Sequence, residues 1–516
     1  MKNIKVVSAA LALLLSGMAI AGCSSNEAKT PANAGQGEGE SKKKITIELL
    51  EGGWDNTPTD EHDPFKKWID EKFNVDFKLS NVTQADFETK VLTRFASQDP
   101  PDIIYTHDRN VMMKLYNQGV LLEDWKPVLD KVPTISNVLD DAAKGFVTID
   151  GKMIALPKPP DLGNWSLKIR KDWLENLKLD IPRTDEELIE VMRQFTFNDP
   201  DNNGKNDTWG ISSNGEGKSI GTLASLEAMY GPIGFQIKDN QVDHSIVNGT
   251  HKKFLDFIKK ISDEKLIDPD WYTQSWAQKG TKTFTDKLGV EWYPGVLAAE
   301  YDQNNGSNGK AADIWEYMDM PKGSDEGGKV FPGAPIGGMI SISAKAAQDP
   351  EKLERILELV DAVSYPNEGF WALRWGVGIA DQKVIDLEGG SKFFSQSDSD
   401  YRKKVTGAWD YGTWIATNRD QVLQTPSKEP GPVEKTMIEL DQKATAAETY
   451  KNYEAFLTLD PQLISDVGKL QQEFDIKYVL GESTDYEGFV KNWLASGGQQ
   501  LLDQAKEQFT AAGQLK

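Results

Sequence analysis

One stretch of the chain carries oxygen-bearing side chains at alternate positions around a glycine. Residues 197–210 read FNDPDNNGKNDTWG, which gives the spacing D-x-D-x-N-G-x-x-D. Calcium takes about six to eight oxygen ligands, and alternate side chains of a tight loop converge on one point. The spacing therefore predicts a calcium loop; a solvated turn rich in Asp and Asn is the alternative. The predicted ligands are Asp199, Asp201, Asn203, Lys205 through its carbonyl, and Asp207.

We expect this ion to be structural and not catalytic. The glutamate that closes a full EF-hand loop is replaced by Gly210, so one more oxygen must come from water or from elsewhere in the fold. No histidine lies near the loop in the sequence, and calcium activates water poorly compared with zinc. Because the loop connects a predicted helix to a predicted strand at Trp209, a bound ion would fix this connection.

A second set of candidate residues combines tryptophan with planar polar side chains. Aromatic rings stack on the C–H faces of sugars, and planar polar groups pair with sugar hydroxyls. Two alternatives stay open: Trp54 could cap a hydrophobic core, and Asp108 and Arg109 could form a surface ion pair at the start of a helix. The predicted ligand-binding residues are Trp54, Asp55, Asp108, Arg109, Trp165, Trp292, Trp375 and Trp409.

The N-terminus has the features of an export signal. Lys2 and Lys5 precede an apolar run at 6–21, which is short for a membrane-spanning helix. The IAGC that ends at Cys23 resembles a bacterial lipobox, in which this cysteine becomes the lipid-carrying first residue. Cys23 is the only cysteine, so the mature chain has no second thiol for an internal disulfide. We expect a palmitate-bearing lipoprotein on the extracellular face of the cell membrane; an ordinary cleaved signal is the alternative.

The overall charge limits the class of partner. The chain has 58 Lys and Arg against 80 Asp and Glu, a formal net charge of −22. This excess of negative charge argues against nucleic acid as a partner. It fits a neutral or cationic ligand better than an anionic one, although a net charge does not define a pocket.

The hydrophobic pattern predicts alternating strands and helices. Residues 44–51 alternate as in a strand, Phe65 and Trp68 begin a helical stripe, and PPDIIYT at 100–106 is a short apolar strand. This order predicts a parallel sheet with helices on its faces and ligands at the carboxyl ends of its strands. A second such region contains WSLKIR and a helix capped by Thr184.

Taken together, these features resemble the family 1 extracellular solute-binding proteins of ABC importers. The chain is most similar to the long lipoprotein branch that includes LipO-like and alginate-oligosaccharide-binding members. The resemblance rests on the lipobox, on PPDIIYTHDRN, on RKDWL through NDPDNNGKND, and on the C-terminal KYVLGESTDYEGFVKNWLASGGQQLLDQAKEQF. It implies an α/β fold of two lobes, joined by crossing hinge strands, which closes on a sugar or oligosaccharide and delivers it to membrane permease subunits. In calcium-bearing members, a loop of this form holds a structural ion.

The resemblance extends to particular residues and boundaries. PDIIYTHDR resembles a stretch of the maltodextrin-binding proteins whose aspartate and arginine bind sugar hydroxyls, here Asp108 and Arg109. That stretch also carries a tryptophan that this chain lacks, which argues against maltose itself. The predicted segments are a signal peptide at 1–22, a lipidated flexible tether at 23–44, a first lobe from 45–157 and 336–390, and a second lobe from 158–335 and 391–516.

Two other functions stay open from the sequence. A secreted carbohydrate-active enzyme would use two carboxylates beside the scissile bond, and a solute-binding protein could take a non-sugar ligand such as a peptide. The sequence has no G-x-S-x-G motif and no cluster of histidines for a catalytic metal. We therefore expect a binding protein and no enzymatic activity.

Overall fold

The computed structural model describes residues 44–53, 63–159, 165–305, 311–375, 385–386, 392–393 and 432–515. All of them belong to one unit of the chain, residues 44–516. The predicted signal peptide, tether and lipidation site at Cys23 lie outside the described residues. No helix among the described residues has both the length and the apolar character that crossing a membrane requires.

Strands and helices alternate through most of this unit. The strands are β1 (Ile45–Gly53), β2 (Val75–Thr83), β3 (Ile103–Thr106), β4 (Thr148–Ile149), β5 (Lys152–Met153), β6 (Leu156–Lys158), β7 (Ser166–Arg170), β8 (Trp209–Ile211), β9 (Phe235–Lys238), β10 (Gln241–His244), β11 (Leu288–Tyr293), β12 (Trp315–Met318), β13 (Gly338–Ile342), β14 (Ile385–Asp386) and β15 (Lys392–Phe393).

The helices vary from single turns to about five turns. They are α1 (Pro64–Phe73), α2 (Gln84–Ala96), α3 (Arg109–Asn117), α4 (Pro133–Ser136), α5 (Asp141–Phe146), α6 (Lys171–Leu177), α7 (Asp185–Phe197), α8 (Ser245–Asn248), α9 (Thr250–Asp263), α10 (Trp276–Phe284), α11 (Leu297–Asn305), α12 (Ala311–Ile314), α13 (Ala344–Ala347), α14 (Pro350–Ala362), α15 (Glu368–Trp375), α16 (Pro432–Ala446), α17 (Pro461–Val479), α18 (Tyr486–Trp493) and α19 (Gln499–Ala511). Tighter turns occur at Lys126–Lys131, Gly221–Met229 and Glu454–Phe456, and a wider one at Leu494–Gly498.

The first lobe is built on a five-stranded sheet in the order β2-β1-β3-β13-β6. Strand β1 pairs in parallel with β2 and β3, and β13 runs antiparallel to β3 and β6. Ile103 and Ile104 are both fully buried although they point to opposite faces, as expected for a sheet with helices on each side. The predicted parallel sheet is confirmed for β1, β2 and β3, and β13 adds an antiparallel strand from a distant part of the chain.

The second lobe has a four-stranded sheet in the order β12-β7-β11-β8. Strand β7 is antiparallel to β11 and β12, and β8 is parallel to β11. Its hydrophobic core includes Trp173 of α6, Phe195 of α7 and Trp493 of α18, so the C-terminal helices pack with the second lobe. Trp173 is fully buried, in line with the amphipathic pattern of its helix.

Side-chain caps fix where the helices begin. The Thr184 hydroxyl accepts a hydrogen bond from the Glu187 amide at 3.2 Å, which caps α7 as predicted. The Glu187 carboxylate accepts from the Arg183 amide at 2.7 Å. This second bond differs from that of a capping box, in which Glu187 would accept from the amide of Thr184 itself. Asp349 caps α14 ahead of Pro350 in the same way.

The chain passes between the lobes at two described places. It leaves the first sheet after β6 and enters the second at β7, and it returns between β12 and β13. The predicted two-lobed α/β fold is confirmed. The predicted third crossing near residue 390 lies outside the described residues.

Candidate functional site between the lobes

One end of the second sheet faces the first lobe. Strand β7 begins at Ser166, directly after the chain leaves the first lobe, and Tyr293 at the end of antiparallel β11 pairs with Ser166. The loop after β8 reaches the first lobe, because Lys218 forms a 2.7 Å ion pair with Asp86 in the first turn of α2. Helix α2 itself follows the carboxyl end of β2, so the loops at this end of the first sheet lie opposite this end of the second.

Three aromatic side chains meet at this end of the second sheet. Trp165, just before β7, contacts Trp276 edge to face with ring centroids 5.6 Å apart. Trp276 stacks on Tyr293 at 4.9 Å, and the Trp165 and Tyr293 rings lie 6.1 Å apart. Tyr293 is buried, whereas Trp165 is 43% exposed. The cluster therefore presents one large ring to solvent and holds it against two others.

A buried ion pair supports these rings from inside the lobe. The Lys279 ammonium lies 4.7 Å from the centre of the Trp276 ring and 5.6 Å from that of Tyr293. It donates to the Glu291 carboxylate, which also accepts a hydrogen bond from the Thr283 hydroxyl. Lys279 and Glu291 are both buried. Because the ammonium has fixed partners, it holds the two rings in a defined orientation.

Another buried amine joins the strands at this end of the sheet. Lys168 donates to the Ser166 hydroxyl at 2.6 Å and to the carbonyl of Tyr293. Burial lowers the pKa of Lys168 to about 7, and the charge of Asp441 opposes this shift. The amine therefore ties the start of β7 to the end of β11.

Arg109 and Asp108 follow β3, as the sequence predicts, but they do not form an ion pair with each other. The Asp108 carboxylate caps α3 by accepting from the amides of Asn110 and Val111. The Arg109 guanidinium donates to the carbonyl of Phe146 at 2.6 Å in the first lobe. It also donates to Leu457 and Thr458, which belong to the second lobe. Arg109 thus links the lobes directly.

Arg109 also lines a cavity of about 650 Å³ between the lobes. The first lobe contributes residues of α3, α5 and β4 to the wall, and the other side comes from the returning segment before β13 and from the loop before α17. The volume lies in the range of cavities that take small ligands. The wall residues include Arg109, Asp141, Phe146, Pro332, Lys451 and Thr458.

The other predicted ligand residues are placed differently. Trp292 pairs with Leu167 across the sheet and packs against the core of the second lobe, on the opposite face of β11 from Tyr293. Trp54, Asp55 and Trp409 lie outside the described residues, as does the side chain of Trp375 at the end of α15.

The predicted calcium loop forms a compact turn between α7 and β8. The amides of Asn203 and Gly204 donate to the Asp199 carboxylate at 3.0 and 2.9 Å. The side-chain amide of Asn203 donates to Asp201 at 2.7 Å and to Asp207 at 3.1 Å. Gly204 has φ of +79°, which a glycine adopts without strain. Asn203 therefore stands between the carboxylates.

The charges of this loop are only partly balanced. Burial raises the pKa of Asp201, and its contacts with Asp199 and Asp207 add to the rise. A hydrogen bond from Lys287 at 2.6 Å lowers the pKa of Asp207. Among the residues that the structure describes, no three Asp, Glu, His or Cys side chains are grouped closely enough to form a metal site by themselves. A cation here would therefore also need amide or carbonyl oxygens, which the loop supplies.

Comparison with known proteins identifies the family. The model for bacterial extracellular solute-binding proteins matches residues 57–364, more than half of the chain. The chain belongs to this family.

The solute-binding protein is similar to curated relatives over most of its length. It is 23% identical to the polygalacturonan/rhamnogalacturonan-binding protein YtcQ of Bacillus subtilis strain 168, over 98% of this chain and 99% of YtcQ. It is 26% identical to lipoprotein LipO of the same strain, over 69% of each chain. The family is one of solute-binding proteins and YtcQ is a binding protein, in agreement with the expectation that this chain is a binding protein.

Solved structures show the same fold. Streptococcus pneumoniae FusA in complex with kestose superimposes with a TM-score of 0.68 at 20% identity, covering 91% of this chain and 100% of FusA. The alginate-binding protein AlgQ2 without calcium ion gives a TM-score of 0.67 at 17% identity, covering 91% of this chain and 99% of AlgQ2.

Some residues of the site were not predicted from the sequence of the solute-binding protein. Trp276 belongs to the aromatic cluster, and the capping box of Ser275 and Gln278 is the signal that would have placed it at a helix start. Strand alternation would have separated Tyr293 from Trp292, because neighbours on a strand point to opposite faces. Lys451 gave no such signal, because it lies in an irregular loop.

Proposed function

We propose that this solute-binding protein captures a sugar or oligosaccharide between its two lobes and delivers it to the membrane permease of an ABC importer. The observation that carries the proposal is the aromatic cluster of Trp165, Trp276 and Tyr293 at the end of the second sheet that faces the first lobe. A large exposed ring held against the half-buried Trp276 and the buried Tyr293 is suited to stacking on the C–H face of a sugar ring.

The relatives favour a carbohydrate over a peptide. YtcQ is a polygalacturonan/rhamnogalacturonan-binding protein, and FusA is a fructooligosaccharide-binding protein. Their ligands include both acidic and neutral sugars, so they leave the charge of the present ligand open. A thermal-shift panel of oligosaccharides and peptides tests the class, because a ligand that binds only the folded state raises the melting temperature.

The decisive experiment compares two tryptophans of the same sheet. Trp165→Ala removes the exposed ring of the cluster, whereas Trp209→Ala removes a partly buried ring at the start of β8, at the opposite end of the sheet. We expect Trp165→Ala to weaken the sugar hit of the panel by about five- to ten-fold in calorimetry. Trp209→Ala should leave the affinity within about two-fold. Equal affinities for both variants and the native protein would remove the cluster from the site.

We further propose that the protein binds its ligand without cleaving it. The matched family is one of solute-binding proteins, which supports binding without cleavage. Mass spectrometry of the sugar after prolonged incubation with the purified protein should return the intact oligosaccharide. Shorter products would support a carbohydrate-active enzyme instead.

The proposed location is the extracellular face of the cell membrane, with a lipid anchor on Cys23. The family description gives an extracellular protein, and the lipobox ending at Cys23 supports the anchor. A Cys23→Ser variant should carry no lipid, and it should either be released into the medium or stay in the membrane with its signal peptide uncleaved.

We also propose that the loop at 199–207 binds a structural calcium ion. The chemistry of the donor set supports this: three carboxylates, the Asn203 amide and the carbonyl of Lys205 are all hard oxygen ligands. Burial raises the pKa of Asp201, and the nearby Asp199 and Asp207 carboxylates add to the rise; a divalent cation would neutralise these negative charges. Calcium would hold the connection between α7 and β8 and would take no part in sugar chemistry.

A further inference from the structure

Arg109 is half-buried, and its bonding differs from that of the two buried arginines among the described residues, Arg170 and Arg355. Arg355 donates to two carbonyls and has the Glu351 carboxylate at 3.6 Å. Arg170 is buried and donates to the carboxylates of Asp172 and Asp286. Arg109 has only neutral acceptors, namely two carbonyls and the Thr458 hydroxyl, the last at 3.4 Å. Burial lowers the pKa of Arg109, and no acidic group contributes to the shift. Partial removal of a guanidinium from water without an anion is unfavourable, so an anionic partner would stabilise Arg109 in this position.

The guanidinium has capacity left for such a partner. It offers more N–H donors than its three acceptors use. Because Arg109 lines the cavity between the lobes, a ligand in the cavity can reach it. Planar carboxylates are the anions that match the fork of a guanidinium.

A second cation borders the same cavity. Lys451 lines its wall, lies 4.4 Å from the centre of the Tyr453 ring and has a 3.4 Å contact with Gln514. Within the part of the chain that the structure describes, neither Lys451 nor Arg109 has a carboxylate within ion-pair distance. Asp141 is the one acidic residue of the cavity wall, so the wall has a net positive charge on a chain of net charge −22.

We propose that the cavity between the lobes binds a carboxylate of the ligand through Arg109 and Lys451, so that the captured oligosaccharide contains uronic acid. This inference rests on the proposed function and specifies its substrate class. Asp141 then accepts hydrogen bonds from sugar hydroxyls, and Phe146 and Pro332 supply apolar wall. A local positive potential attracts an anionic sugar to a protein that is acidic overall.

The test uses matched pairs of ligands. Trimers of galacturonate, mannuronate and glucuronate are each compared by calorimetry with the same trimer after chemical reduction of its carboxylates to CH₂OH, together with a panel of neutral oligosaccharides. We expect at least one acidic trimer to bind about ten-fold or more tightly than its reduced form. Raising the salt concentration should weaken the binding of the acidic trimer and leave the binding of the reduced trimer unchanged.

The outcomes separate the inference from the proposed function. If the reduced trimers bind as well as the acidic ones, or only neutral oligosaccharides bind, the inference is overturned and sugar capture stands. If none of these carbohydrates binds, the proposed function fails together with the inference.

Variants identify the residues responsible. Lys451→Gln should weaken the affinity for the acidic trimer by about three- to ten-fold and leave the affinity for the reduced trimer within about two-fold. It should also make the binding of the acidic trimer less sensitive to salt. Lys469→Gln makes the same charge change on an exposed position of α17 and should change none of these values. Arg109→Lys keeps the positive charge but loses the paired N–H donors of the guanidinium. It should therefore weaken the affinity for the acidic trimer more than the affinity for the reduced trimer. Equal losses for both ligands in the Lys451 and Arg109 variants would contradict a carboxylate site.

Discussion

The carboxylate of Asp86 and the ammonium of Lys218 lie 2.7 Å apart, and they connect α2 of the first lobe to the loop after β8 of the second. Both side chains are exposed, so the pair contributes little to folding. Its position between lobes gives it a different role, because it exists only while the lobes are close together. The hydrogen bond from Lys218 lowers the pKa of Asp86, and the charge of Lys218 adds to this effect.

We predict that Lys218→Gln shifts the ligand-free protein toward a more open arrangement without lowering its melting temperature. Small-angle scattering should show a larger radius of gyration, and the affinity for the sugar should fall by a few-fold at most. Lys253→Gln, at another exposed lysine of the second lobe, is the matched control for charge. A loss of melting temperature in Lys218→Gln alone would contradict a role limited to the contact between lobes.

A calcium titration should stabilise the protein through the loop at 199–207. Addition of calcium after chelation should raise the melting temperature by several degrees, because the ion binds the folded loop and not the unfolded chain. Asp201→Asn should abolish this shift, since Asp201 lies among the carboxylates. Asp263→Asn, at an exposed ion pair of α9, should keep it. Sugar affinity should change less than stability; a collapse of affinity with stability intact would assign the ion to function.

The buried ring of His251 should make stability depend on pH. Its two nitrogens bond to Glu227 at 2.9 Å and Asp475 at 2.8 Å. Burial alone would lower the pKa of His251, but the charges of Asp475 and Glu227 outweigh it and raise the pKa to about 10. Because the folded pKa is raised, the stabilisation is complete below about pH 6.5, the pKa of an unfolded histidine, and is lost as the pH rises through about 10.

We therefore predict that His251→Gln lowers the free energy of unfolding by about 3 kcal/mol or more at pH 6. The gap from the native protein should narrow between pH 7 and pH 10, because the unfolded histidine is neutral in this range while folded His251 still holds its proton. Urea unfolding at several pH values measures this gap, and His107→Gln, at an exposed histidine, is the control. An NMR titration of the native protein should find the His251 ring still protonated at pH 8. A ring that titrates near pH 6.5 would contradict the prediction.

Two glycines in the segment that returns to the first lobe should respond differently to a methyl group. A Cβ at Gly327 would overlap the carbonyl of Met229, whereas a Cβ at Gly333 meets nothing within 4 Å. Gly327→Ala should lower the free energy of unfolding by about 1–3 kcal/mol. Gly333→Ala should be neutral in the same chemical denaturation experiment. Similar stabilities for the two variants would show that the backbone at Gly327 relaxes freely.

The strands and helices of the first lobe were largely predictable, since local pattern decides them. Ile45, Ile47 and Leu49 alternate with polar residues because they lie on a buried face of β1. Asp349 before Pro350 is typical of a helix start and predicts the beginning of α14. The pairing of β13 with β3 was not predictable from the local hydrophobic pattern, because the paired residues Met339 and Thr106 lie far apart in the sequence. Pairing across such a distance depends on tertiary packing.

The candidate site was only partly predictable for the same reason. Trp165 and Arg109 could be chosen from their places beside a crossing and after a strand. Their contact partners, Tyr293 for Trp165 and Leu457 for Arg109, come from remote segments of the chain. The neighbouring rings of Trp292 and Tyr293 have similar chemistry, and only the register of β11 against β7 decides which of them joins the cluster.

The insertion of β13 between β3 and β6 also bears on the order of assembly. Until β13, which begins at residue 338, has been synthesised, β3 keeps one unpaired edge. All four residues of β3, Ile103–Thr106, are buried in the finished sheet. The second sheet, by contrast, is complete by β12 at residue 318. A growing or truncated chain therefore carries a complete second sheet, still without the C-terminal helices that pack with it, beside a first sheet with an open edge. Proteins that bind the nascent polypeptide would have to keep this unpaired edge of β3 away from other chains.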